Sequence, residues 1–171
     1  MFNGKPIWNP IKGNKLQYAM NTNWDLFWDK AGRTYYLRNF DGWMSAPNLT
    51  GPWQAGPKLP EAFNQLPDND NWKETKANIP GRKLPPEAVP DVFVSFKPSE
   101  MILLKGEPDL RVVENTSFMW VANTDSDLFF STKDRFYYYL VSGRWFRCRE
   151  LRNNGRWEFA THRLPEDFKD I

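Results

Sequence analysis

Few side chains in this chain have the chemistry for catalysis, and their spacing restricts what they can do. His162 is the only histidine and Cys148 the only cysteine. A hydrolytic triad needs a base that titrates near neutral pH, usually histidine, beside an activated nucleophile. His162 lies between Thr161 and Arg163, and no serine sits in a Gly-x-Ser-x-Gly turn. It reads as a surface or turn histidine. One cysteine makes no intrachain disulfide, and one histidine excludes a two-histidine metal site. Paired carboxylates can cleave glycosides, and Asp25 and Asp127 follow matching Asn-Thr dipeptides. Asn, Thr and Asp in such a run hydrogen-bond local backbone and fix a turn, which is the simpler reading. A calcium role for Asp125 and Asp127 lacks the Asp-rich loop it needs. No Gly-rich phosphate loop is present. No catalytic residue, metal or cofactor is expected.

The aromatic residues are the more informative set. They make up 16% of the chain and include nine tryptophans. Trp24, Leu26 and Trp28 alternate, so on one strand they share a face and form a strip about 13 Å long. Tyr36 and Arg38 belong on the neighbouring strand beside it. Flat aromatic surface edged by hydrogen-bonding groups suits sugar rings, and it also suits proline-rich peptides. Trp24, Trp28, Tyr36 and Arg38 are therefore the candidate ligand-binding residues.

The elements that position these residues come in two copies. Asn21-Thr22-Asn23-Trp24-Asp25-Leu26-Phe27 matches Asn123-Thr124-Asp125-Ser126-Asp127-Leu128-Phe129. Arg33-Thr34-Tyr35-Tyr36 matches Arg135-Phe136-Tyr137-Tyr138, and Trp43 matches Trp145. Gly51-Pro52-Trp53 matches Gly155-Arg156-Trp157, and Leu59-Pro60-Glu61-Ala62-Phe63 matches Leu164-Pro165-Glu166-Asp167-Phe168. The order is kept throughout, as in an internal repeat. Short apolar runs between polar, Gly- and Asn-containing links read as antiparallel strands. They fall at 16–20, 25–28, 33–38, 42–45 and 52–55, then at 118–122, 127–131, 135–141, 144–148 and 156–161. The last links carry Ser142-Gly143 and Asn153-Asn154-Gly155.

Between the copies, Asp70 can cap a short helix over 71–78, which Pro80-Gly81 stops. Residues 83–90 are Pro-rich and extended. Residues 92–96 and 100–104 read as two further strands. The resulting division is a first β-repeat over 1–67, a linker with its helix over 68–91, and a second β-repeat with a preceding strand pair over 92–171. The expected fold is all-β: two pseudo-equivalent antiparallel meanders packed together, with one short helix between them. A sandwich, an open barrel and propeller-like blades all fit. Aromatics present in both copies (Phe27 and Phe129, Tyr35 and Tyr137, Trp43 and Trp145, Trp53 and Trp157) are expected in the core. Those in one copy, chiefly Trp24 and Trp28, are where function is expected.

These phrases resemble a family of largely uncharacterised bacterial repeat proteins. The resemblance rests on Asn123 to Phe130, Tyr137 to Phe146, Gly51-Pro52-Trp53 and Leu164 to Phe168. It implies an exported protein, periplasmic, envelope-associated or extracellular, and in some members a carbohydrate-binding role. It carries over no binding residues. Trp24, Gly32 to Tyr36, Trp43 and Pro47 also resemble the WW pattern, but the spacing from Tyr36 to Trp43 is too short and Ser126 replaces the first tryptophan. That likeness reads as convergence.

Net charge is +2, from 23 basic and 21 acidic residues scattered singly. Nucleic-acid binding needs a concentrated basic stripe, so no nucleic-acid partner is expected. No apolar run approaches a membrane span, and residues 1–10 do not form a signal peptide. The uneven cut of the copies suggests an excerpt of a longer repeat array. The expected function is a non-catalytic module that binds a glycan. The alternative is a structural or protein-interaction repeat with a protein or peptide partner.

Overall fold

The computed structural model describes residues 1–151 and 155–171. Part of the expected Asn-Asn-Gly link therefore lies outside the described residues. The chain forms two compact units, Met1–Ser99 and Glu100–Ile171. Each contains one six-stranded sheet in which every strand pairs antiparallel with its sequence neighbour. Among the described residues the fold is all-β, with two similar sheets and one short α-helix.

In the first unit the strands are β1 (Trp8–Pro10), β2 (Leu16–Ala19), β3 (Leu26–Asp29), β4 (Thr34–Asn39), β5 (Gly42–Ala46) and β6 (Gln54–Ala55). Helix α1 (Asp70–Ala77) follows. The second unit repeats the order with β7 (Leu110–Val112), β8 (Phe118–Val121), β9 (Asp127–Ser131), β10 (Tyr137–Val141), β11 (Arg144–Cys148) and β12 (Glu158–Phe159). Strands β1 and β7 were not anticipated. They are three residues long, too short to show an alternating pattern.

The repeat extends to backbone detail. Left-handed residues recur at Gly4 and Gly106, at Gly13 and Asn115, and at Arg33 and Arg135. Asn21 and Asn123 make the same three bonds. The Asn21 amide donates to the carbonyls of Asn3 and Lys5, and its Oδ1 accepts from Ile7 N–H. The Asn123 amide donates to Lys105 and Glu107, and its Oδ1 accepts from Asp109 N–H. The role expected of the Asn-Thr-x-x-Asp run, fixing a turn, thus belongs to its first residue. Asn21 holds the chain that enters β1 against the β2–β3 turn.

Residues 68–91 do more than link. Cross-strand pairing puts Tyr18, Phe27, Tyr36 and Trp43 on one face of the first sheet and Ala19, Leu26, Leu37 and Met44 on the other. Both faces are apolar, so both need a cover. Ala62, Phe63, Leu66 and Trp72 cover the first, and Leu84, Val89, Val92 and Val94 cover the second. Burial of side chains such as Phe27 and Phe63 contributes roughly 1.5–3 kcal/mol each. The chain crosses from face to face past the β5 end, where Arg82 N–H donates to Asp41 O. Only glycine fits there. A Cβ on Gly81 would lie 2.7 Å from the Trp43 ring, and one on Gly42 would lie 2.5 Å from Leu84.

Two expectations need correction. Residues 92–96 and 100–104 form no strands. Val92 and Val94 serve instead as cover for the sheet, and Ser95 O accepts from Phe2 N–H. In 92–96 the alternating apolar residues mark a segment lying on a sheet rather than within one. The helix starts one residue earlier than expected, and its cap is Asn69, whose side chain accepts from Asn71 N–H.

Candidate functional site

Of the four candidate binding residues, Trp24 alone stands open to solvent in an unpaired segment. It lies in the turn before β3, 51% exposed. The expected strip of Trp24, Leu26 and Trp28 does not form, because β3 begins only at Leu26 and the alternation cannot extend back to residue 24. Leu26 is buried. Trp28 faces its cross-strand partner Tyr35, with stacked rings 4.2 Å apart. Phe130 and Tyr137 make the corresponding contact in the second unit, at 4.9 Å. Trp28 therefore occupies a packing position that both copies fill with an aromatic.

Tyr36 and Arg38 lie on the opposite face from Trp28, since Tyr36 pairs with Phe27 and Arg38 with Trp43. Tyr36 is buried against Phe63, with centroids 5.4 Å apart. Burial pushes its phenol pKa up, Asp29 adds to the shift, and a hydrogen bond with Thr34 opposes it. Arg38 donates from Nε to Asp25 Oδ2 at 2.6 Å and from Nη2 to Glu74 Oε1 at 2.9 Å. Burial works against its charge, but the bonds and charges of Asp25 and Glu74 outweigh this and raise its pKa.

What stands beside Trp24 is a groove of about 330 Å³ between the β2–β3 turn and the start of α1. Thr22, Asn23, Asp25, Asn71 and Trp72 share its lining with Trp24. Its volume is at the small end of the range for small-ligand pockets, roughly 300–1,000 Å³. Asp25 is held firmly there. Its Oδ2 accepts from Arg38 and from the buried Thr75 hydroxyl at 2.9 Å. Among the described residues, Oδ1 takes no hydrogen bond, which leaves an oriented acceptor at the groove. Trp72 is fixed by an edge contact with Tyr18 at 5.0 Å and a tilted contact with Phe27 at 5.7 Å. The groove thus offers an exposed indole, a second indole set in the scaffold, side-chain amides and a carboxylate.

Asn71 and Trp72 were missed as site residues because they sit in a segment read as a linker. A signal was present: Trp72 and Thr75 are three apart, so a helix places them on one face. That face packs on the sheet and brings the helix start to the turn that carries Trp24. From the sequence, Asp25 reads as a turn former or as one of a carboxylate pair. Among the described residues lining the groove it is the one acid, and Glu74 meets it only through Arg38. The groove does not offer the two flanking carboxylates of a glycosidase.

No protein family, curated protein or solved structure matches the chain. Among the described residues, no group of three or more His, Cys, Asp or Glu could hold a metal ion. Among the described residues, no helix is long and apolar enough to cross a membrane. His162 is exposed in a turn, its ring 5.6 Å from that of Phe159.

Proposed function

We propose that this protein is a non-catalytic binding module whose first unit takes up a short glycan in the groove at Trp24. The exposed Trp24 beside an oriented Asp25 carboxylate carries this reading. A sugar ring stacks its apolar face on an indole and bonds through its hydroxyls. The groove supplies the indole, and Asp25, Asn23, Asn71 and Thr22 supply acceptors and donors. The motif resemblance adds an exported bacterial setting. The groove depends on α1, so the binding site belongs to the first unit, and Ser126 replaces Trp24 in the second.

A broad glycan array followed by calorimetry on the strongest ligand tests the proposal. Trp24→Ala is expected to weaken binding at least tenfold. Trp24 is half exposed, so the unfolding temperature is expected to stay within a few degrees. Well-folded protein that binds no glycan, or binds equally well without Trp24, refutes the reading. A proline-rich peptide that binds through Trp24 in place of any sugar assigns the groove to protein recognition.

A further inference from the structure

The groove at Trp24 carries charge of one sign only. Asp25 is the one charged residue in its lining, and no Lys, Arg or His lines it. Arg38 stands behind Asp25 and is fully engaged there. Its Nε donates to Asp25 Oδ2, its Nη1 to Phe40 O and its Nη2 to Glu74 Oε1, and its side chain is only 13% exposed. One guanidinium thus serves two carboxylates, so the three groups together keep an excess of negative charge. Water screens much of the exposed Glu74, but its bond still draws part of the guanidinium charge away from Asp25. The open corner of this triad is Asp25 Oδ1, which takes no hydrogen bond among the described residues.

Two other sources of positive charge lie near. The positive end of α1 reaches the groove through Asn71 and Trp72. Its first N–H groups are already taken, Asn71 N–H by the Asn69 side chain and Trp72 N–H by Asn69 O, and Asp70 in the first turn offsets the dipole. On the helix itself, Lys76 pairs with Asp68, and Lys73 is exposed and outside the lining. An anion in the groove therefore meets Asp25 with no lining cation to receive it. An ammonium gains twice. It donates a charge-assisted hydrogen bond to Asp25 Oδ1, and it is drawn to the face of the exposed Trp24 ring. A hydroxyl or an acetamide N–H gains only a weaker bond to the carboxylate.

Resting on the glycan reading of the same groove, we infer that it selects sugars that carry a free amine and rejects acidic sugars. The ammonium sits between Asp25 Oδ1 and the Trp24 ring, and the hydroxyls of the same sugar bond to Asn23, Asn71 and Thr22.

The probes are four β-1,4-linked trisaccharides, of glucosamine, N-acetylglucosamine, glucose and glucuronic acid. Each is titrated into the full chain by calorimetry at about pH 6, where carboxylates are ionised and primary amines protonated. The glucosamine form is expected to bind at least about fivefold more tightly than the acetylated and glucose forms, because its bond is charge-assisted. The glucuronic acid form is expected to bind at least about tenfold more weakly than the glucose form. Raising salt from about 20 to 200 mM weakens the glucosamine form severalfold and leaves the glucose form unmoved, since only the first makes an ion pair. That readout needs no variant and stands even if Asp25→Asn, which also loses the Arg38 pair, unfolds. In a folded Asp25→Asn the glucosamine and glucose forms bind within about twofold of each other. Equal affinity for amine and acetamide, a preference indifferent to salt, or tighter binding of the glucuronic acid form overturns the inference and leaves the glycan reading standing. So does oligolysine bound through Trp24 more tightly than the glucosamine form, because the ammonium then belongs to a peptide. Binding of none of the four overturns it too, and a chain that also binds nothing on the broad array loses both readings.

Discussion

Replacing Asn21 or Asn123 by alanine tests whether the repeat is a structural device or only a likeness of sequence. Each side chain makes three hydrogen bonds to backbone, two donated and one accepted, at 2.7–3.0 Å. A net intramolecular bond contributes about 0.5–1.5 kcal/mol. All six bonds are exposed, so water replaces part of what is lost and the low end applies. Each substitution should therefore cost about 1.5 kcal/mol. For units of this size that lowers the unfolding temperature by roughly 6–12 °C. The assay is denaturant unfolding of both variants, with amide exchange at Ile7 and Asp109, whose N–H groups lose their acceptor. The two costs should agree within about 0.5 kcal/mol, since the geometry is the same. A cost near zero in both, or a large cost in only one, refutes the shared role.

Thr75→Val keeps shape but removes the hydroxyl that α1 gives to Asp25. It should cost about 1–2 kcal/mol, because hydrogen bonds to charged groups are stronger than neutral ones, discounted for the partial exposure of Asp25. Loss of glycan affinity should accompany it, and unchanged stability and affinity would count against a helix that organises the groove. Bonds from the Ser117 hydroxyl, Lys133 and Ser117 N–H hold the Asp167 carboxyl down to about 2. Its folded pKa is depressed, so its contribution is present above the ordinary value of 3.8 and is lost as pH falls through 2. Asp167→Asn should remove that part of the acid slope in urea midpoints taken between pH 5 and 2. Burial pushes the Cys148 thiol up to about 12, and burial together with the Asp134 hydrogen bond takes the Tyr138 phenol to about 12. Above their ordinary values of 9.0 and 10.0 the unfolded chain loses these protons while the folded chain keeps them. Stability should then fall as pH rises toward 12. Cys148→Ala should flatten the slope above pH 9, and Cys148 should resist thiol reagents at pH 8 in the folded protein.

The β-class, the repeat and most strand positions were legible because they rest on local signals. Alternation and turn residues mark β2 to β5 and β8 to β11, and Asn21 and Asn123 stand at matching places in the two copies. Core membership was legible in part: Phe27 and Trp43 are buried, while Phe129, Trp145, Tyr35, Tyr137, Trp53 and Trp157 are only partly buried. The candidate site was legible at Trp24 alone. Its exposure follows from a turn that the Asn-Thr run already announces.

The rest depended on what packs where. Period two assigned Trp28 a face, but only pairing with β4 shows that Tyr35 covers it and that Tyr36 and Arg38 look the other way. A segment with helix and proline signals looks like a linker until the sheet it covers is in view, because sequence periodicity describes an element's own faces and not the surface it meets. The sequence by itself thus determined that this protein is two copies of an aromatic β-meander with Trp24 in a turn of the first. Only the tertiary structure decided that α1 makes that turn a groove and that, among the described residues, no helix lies on the same face of the second unit. Both depend on contacts between residues some fifty positions apart, such as Asp25 with Thr75, that no local pattern encodes.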